Sequence, residues 1–196
     1  MPAVLLGSDK QATHRVEYDQ EWEFDTAIKA LRQQGCRSIA LLAITKLEIA
    51  AIFLRLLKQS GLPASGNVLL YPKYIPIVPS RNREEFGANL IKHLVTTGQS
   101  FPDGIVSIDD TVTRGLCNGL KVTHRKLGHD LRICTVSNQG SPVLQDLESA
   151  LTRLEIDPGD LARNALKILD ALMADRAPHP AVAILRPKLY IPSELR

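Results

Sequence analysis

FPDGIVSIDDTVTRG, residues 101–115, is the stretch on which the fold turns. Pro102-Asp103-Gly104 is turn chemistry, because Pro presets φ and Gly accepts positive φ. Ile105, Val106 and Ile108 make a short apolar run, the pattern of a strand buried on both faces. Asp109-Asp110 then opens a helix with Val112, Leu116 and Leu120 at helical spacing. Two carboxylates therefore stand where a buried strand ends and a helix begins, and ligands of open α/β sheets bind at that edge. Asp110 reads as the helix N-cap. Asp109 is not needed for capping and is left for a ligand.

Working outward, SIALLAI (38–44), NVLLY (67–71) and LRICTV (131–136) repeat the buried-strand pattern. Helices separate them. One starts at Asp19 and carries Phe24, Ala27, Ile28 and Leu31, with Gly35 as its stop; Trp22 and Glu23 fall in its first turn, where Glu suits the dipole. A second runs over 46–59, and a third opens at Asn82 and Glu85 with capping-box spacing. Strands alternating with helices mean a parallel sheet with right-handed crossovers, so the fold class is α/β with helices on both faces of the sheet. The four strands should be parallel neighbours. Their carboxyl ends then share one rim, holding Thr45, Tyr74, Asp109, Asp110, Ser137 and Asn138. Short strands are expected at 3–6, 14–18, 151–155, 182–185 and 189–191. Asp157-Pro158 starts a last helix, with Asp as cap and Pro in the first turn.

The net charge of +3 is too small to mark a nucleic-acid surface, and no 18-residue apolar run or leader is visible, so a cytoplasmic chain without a membrane partner is expected. Cys36, Cys117 and Cys134 form no C-x-x-C pair and read as core residues. No phosphate loop, dinucleotide fingerprint or nucleophile elbow is present, and the five histidines lack metal spacing. No cofactor and no metal are expected. Gly115 and Gly119 inside the helix after Asp110 read as a close-packing face. A rim of Asp, Asn, Ser, Thr and Tyr without a nucleophile and base suits polyol binding better than catalysis. A small α/β enzyme, with the Asp109-Asp110 pair holding Mg²⁺, is the competing reading, though Ser137 and Asn138 are the only further oxygen ligands at hand.

Several segments, in order, resemble the effector-sensing part of LacI/GalR-type transcriptional regulators, and equally of GntR-headed regulators with a LacI-like sensor. They are the strand entry from Gly35-Cys36-Arg37-Ser38-Ile39 to Leu42, the helix end from Leu57 to Gly61-Leu62, and Pro102-Asp103-Gly104-Ile105 with Asp109-Asp110 and Gly115. Leu131 to Asn138, Leu151-Thr152-Arg153-Leu154 and the helix with Ala165 complete the set. The resemblance implies a periplasmic-binding-protein type I-like fold, represented mostly by its second lobe. Residues 1–18 would be a remnant of the first lobe and crossover, 19–147 the second lobe, 148–178 a further first-lobe remnant, and 179–196 a strand returning to the second lobe. No helix-turn-helix is found, so DNA would be met only through a head domain absent from this chain, and the chain reads as a fragment of a longer regulator. The implied effector is a sugar or related polar metabolite, with a transport-type sugar-binding protein of the same fold as the alternative. Ile49 stands where the family places a ligand-gripping Arg, Asp109 where it has Asn, and Ser137 where it has Asp.

A homodimer is expected. The helix over 46–59 is apolar nearly all round, which calls for cover on a second side. The resemblance adds a pairing surface near the helix after Asp110. The interface is therefore placed on Ile49–Phe53 or on the helices from Leu116 to Leu127.

Overall fold

The computed structural model describes residues 1–7, 11–42, 47–63, 68–70, 83–178 and 180–195. The expected alternation is present: β1 (Leu5–Leu6), β2 (Arg15–Tyr18), α1 (Gln20–Gln33), β3 (Ile39–Leu42), α2 (Leu47–Gln59), β4 (Leu69–Leu70), α3 (Arg83–Thr96), β5 (Gly104–Ser107), α4 (Asp110–Val122) and β6 (Arg132–Asn138). A 3-10 stretch (Pro142–Ala150), β7 (Thr152–Ile156), α5 (Pro158–Met173), β8 (Val182–Leu185) and β9 (Lys188–Tyr190) follow. One sheet has the order β4-β3-β5-β6-β7-β9, a second the order β1-β2-β8. The four expected core strands are parallel neighbours, with Ile39 opposite Gly104 and Gly104 opposite Arg132.

Period-two alternation explains the layers. Ile39, Leu41, Val106 and Cys134 face α1 and α2, where Phe24 meets Phe53 edge-on with ring centroids 5.8 Å apart. Ala40, Leu42, Ile105 and Ile133 face α3 and α4. Those two helices touch backbone to backbone. A Cβ added to Gly115 would collide with the Glu84 carbonyl, and one added to Gly87 with the Val112 carbonyl. At the opposite edge of the strands, the Asp103 carboxylate accepts from the amides of Arg37 (2.8 Å) and Ser38 (2.9 Å), pinning the β3 and β5 entries together. Burial opposes ionisation there, but these amide bonds win and hold its pKa below the usual value.

Three expectations need correction. First, α2 is not apolar all round in its surroundings: Ile49, Ala50, Phe53, Leu56 and Leu57 are buried within the chain, and Ala51, Arg55 and Lys58 form an exposed stripe at helical spacing. Packing against α1 and the sheet supplies the second side of cover, so Ile49–Phe53 is not a free face. Leu116 and Leu120 of α4 are equally buried, beneath α3 and the 3-10 stretch. Second, residues 148–178, expected together as one first-lobe remnant, do not all leave the large sheet, because residues 152–156 lie in it. They continue it, Cys134 opposite Thr152 through Asn138 opposite Ile156, and the chain leaves that sheet only at Asp157. Third, the C-terminal segment divides: β8 pairs with β2 in the small sheet, whereas β9 returns antiparallel to β7. There the buried Arg153 guanidinium lies 4.4 Å from the Tyr190 ring centroid and bonds Glu155 at 2.9 Å. The small sheet packs on α5 through Val16, Ala183 and Ile168.

Candidate functional site

Parallel strands end together, so the chain after β5, β6 and β7 comes to one edge. After β5, Asp109 keeps an extended backbone (φ −144°, ψ 119°), and its Oδ1 accepts from the Val112 amide at 2.9 Å. Asp109, not Asp110, is therefore the N-cap. The cap residue needs non-helical geometry to reach the amide three residues on, and Asp110 is already helical. The second oxygen of Asp109 accepts from Arg83 Nη1 at 2.5 Å, so each oxygen of this carboxylate has a protein partner. Asp110 projects instead toward the turn after β6, where Ser141 Oγ donates to it at 3.2 Å. Gly140, with φ 74°, makes that turn, and the Ser141 amide bonds the Asn138 carbonyl at 3.1 Å. Asp110 and Ser141 thus form a polar ledge at one edge, next to the end of β6 at Ser137 and Asn138. Ser137 is buried and Asn138 exposed. Thr45 and Tyr74 lie outside the described residues. Ile49 is absent from the ledge: it is 6% exposed and packs in the core with Phe53.

Beside the ledge, on the α1 side of the same edge, is a cleft of about 230 Å³ at the junction of the two sheets. Tyr18 and Glu23 enter it from β2 and α1; Ile108, Val136 and Ile156, from the ends of β5, β6 and β7, make its apolar wall with Phe24. Ile108 and Val136 directly precede Asp109 and Ser137, so cleft and ledge share their backbone. Glu23 is 6% exposed; its amide donates to the Asp19 carbonyl at 2.9 Å, and its carboxyl group has no hydrogen-bond or ion-pair partner among the described residues. Burial, helped by the Asp19 carboxylate, raises its pKa to about 7. Asp19 is held by the Trp22 amide (3.0 Å) and by Arg186 Nε (3.1 Å). The Tyr18 hydroxyl donates to the Asp157 carbonyl at 3.4 Å; burial, then Asp157, Asp160 and Glu23, raise its pKa.

Sequence reasoning placed Glu23 in a helix's first turn without seeing that it is buried. The signal was its spacing, since Glu23, Ala27, Ala30 and Leu31 share one helix stripe and all are buried. Ser141 was likewise missed as the partner of Asp110. Trp22 is half-buried against the α1–α2 layer, with Arg186 5.9 Å from its ring.

No group of three or more His, Cys, Asp or Glu is placed to hold a metal among the described residues. The three thiols are buried, and burial pushes Cys36 to about 11 and Cys117 and Cys134 to about 12, which keeps them protonated and weak as nucleophiles. The arrangement can accept and donate hydrogen bonds around a small polar molecule. It presents no activated nucleophile among the described residues.

Residues 28–191 match the periplasmic binding protein-like domain family. The chain belongs to that family. This periplasmic binding protein-like domain is similar in fold to solved transcription regulators. A regulatory protein of the LacI family from Chloroflexus aggregans superposes with TM-score 0.76 at 22% identity, over 92% of this chain and 63% of that one. The transcription regulator CcpA of Lactococcus lactis gives 0.78 at 20% identity, over 97% and 68%. A LacI family regulator from Arthrobacter sp. FB24, in complex with lactose, gives 0.76 at 16% identity, over 100% and 71%. The domain thus spans about two thirds of the length of these proteins, and 63% of the first. Comparison with curated protein sequences gave no match. Among the described residues no helix is long and apolar enough to cross a membrane.

Proposed function

We propose that this chain is the effector-sensing part of a LacI-type transcriptional regulator, and that a small polar metabolite, a sugar or a close relative, seats on the ledge and in the cleft. The observation that supports this is the pairing of Asp110 with Ser141 at the carboxyl edge of a parallel sheet, where β6 ends at Ser137 and Asn138, next to a cleft with Phe24, Ile108, Val136 and Ile156 in its wall. Convergent polar groups beside an apolar wall are what orient and bury a small ligand. The lactose complex of the Arthrobacter regulator, whose fold this chain shares, supports the sugar reading. In this reading the protein works in the cytoplasm, and DNA is engaged only through a head of LacI or GntR type outside these residues. Two chains pair about a two-fold axis, as most oligomers do. Ile49, Phe53, Leu116 and Leu120 do not supply the pairing surface, since those side chains are buried within one chain.

Calorimetric titration with lactose and a panel of neutral mono- and disaccharides tests the proposal. Weak but saturable binding is expected, lost in Asp110→Ala. Binding to none of the panel, or full binding by Asp110→Ala, would refute it.

A further inference from the structure

Glu23 is the buried group that a neutral polyol site does not explain. It lines the cleft, is more than nine-tenths buried, and meets no cation among the described residues. A carboxylate left so is costly unless something pairs with it. The charged groups around it make the imbalance clear. From the start of α1 comes Asp19, whose charge is matched by Arg186. Asp157 and Asp160, at the start of α5, act on Tyr18 and share the single guanidinium of Arg163. From β2 comes Tyr18, whose hydroxyl already donates elsewhere. Among the described residues that line the cleft, Glu23 is the one carboxylate and no Lys, Arg or His stands beside it; Gln20 and Tyr18 add neutral polar groups, and Phe24, Ile108, Val136 and Ile156 are apolar.

We infer that the cleft selects a small ligand bearing a protonated amine on a compact ring, an amino sugar in the simplest case, with the ammonium seated against Glu23 and the ring face against Ile108, Val136 and Ile156. This rests on the reading of the cleft as part of the effector site and names the ligand's chemistry within it. The volume fits. At about 230 Å³ the cleft falls below the roughly 300–1,000 Å³ of sites for drug-sized ligands, leaving space for about one ring. A carboxyl poised near neutrality also suits an ammonium ligand. It stands protonated or half-protonated in the empty cleft, and an arriving ammonium draws it into the ionised form.

The experiment uses the full chain with glucosamine and glucose as probes, followed by calorimetry and by the carboxyl ¹³C resonance of Glu23. Glucosamine is expected to bind about tenfold or more tightly than glucose, the weight of one hydrogen bond between charged groups. Its binding should move the Glu23 resonance to the ionised position at about pH 6.5, just below the raised pKa. Glu23→Gln should remove the preference, bringing the affinity for glucosamine down to that for glucose. The resonance is read in the unsubstituted protein, so the test survives if Glu23→Gln folds poorly. Equal affinity for the two probes, with a Glu23 resonance that glucosamine does not ionise, would overturn the ammonium assignment and leave the sensor reading intact. If neither probe binds while lactose does, the ammonium assignment likewise falls alone. If glucosamine, glucose and lactose all fail to bind, the sensor reading falls with it.

Discussion

Replacing Glu23 with Gln should change the pH dependence of stability in a defined way. In the folded chain the carboxyl titrates near 7, raised by burial from its ordinary 4.5. The folded state therefore holds a proton between about 4.5 and 7 that the unfolded chain has released. Stability rises with pH only where the unfolded state binds more protons. Here the folded state binds more, so stability falls as pH rises through this window and levels off above it. The separation of the two values corresponds to roughly 3 kcal/mol, since one pKa unit is about 1.4 kcal/mol. Gln keeps the shape and removes the titration. Urea unfolding at about pH 5 and about pH 8, the two ends of the window, should give near-equal stabilities for the two proteins at the lower pH. At the higher pH Glu23→Gln should be the more stable by about 2–3 kcal/mol, a large share of a domain's total. Parallel stability profiles for the two proteins across this range would show that Glu23 is not a buried, unpaired group.

The two neighbouring carboxylates should separate by function: Asp109→Ala should lose about 1 kcal/mol in urea unfolding through the lost helix cap, whereas Asp110→Ala should stay within about 0.5 kcal/mol and lose sugar binding in calorimetry. Gly115→Ala should lose about 3 kcal/mol or fail to accumulate as folded protein, because the new methyl meets the Glu84 backbone, which cannot move aside without displacing α3; circular dichroism melting checks it. Ile49→Ala should cost about 2–5 kcal/mol as a core truncation and leave the oligomeric state by light scattering unchanged, since its side chain is covered within one chain.

What could be read from the sequence was what repeats. Four apolar runs separated by amphipathic helices place Ile39, Gly104 and Arg132 side by side, and the parallel register follows from the crossovers. Gly115 inside a helix was readable as a close approach because a glycine there has little other use. Detail depending on a single residue's dihedral was not readable. Asp109 and Asp110 differ by one position, and which one caps is decided by where the extended backbone stops. The environment of α2 was misread because an apolar circumference says that cover exists without saying which element supplies it. Residues 152–156 were readable as a strand but not as a neighbour of β6: a short apolar strand carries no label for the sheet it joins, and the pairing with Cys134 to Asn138 is a long-range choice. Glu23 was hidden by its type, since a Glu in a first helical turn is nearly always solvated and only the stripe it shares with Ala27 and Leu31 marks it as buried.

The most direct test of an effector site at the carboxyl edge is the map of backbone amide shifts in ¹H–¹⁵N spectra as lactose and a set of monosaccharides are added. The expected result is a cluster of concentration-dependent shifts at Asp110, Ser137, Asn138 and Ser141, extending to Tyr18 and Glu23. Shifts confined to α5 and the small sheet, or none with any ligand at high concentration, would contradict it.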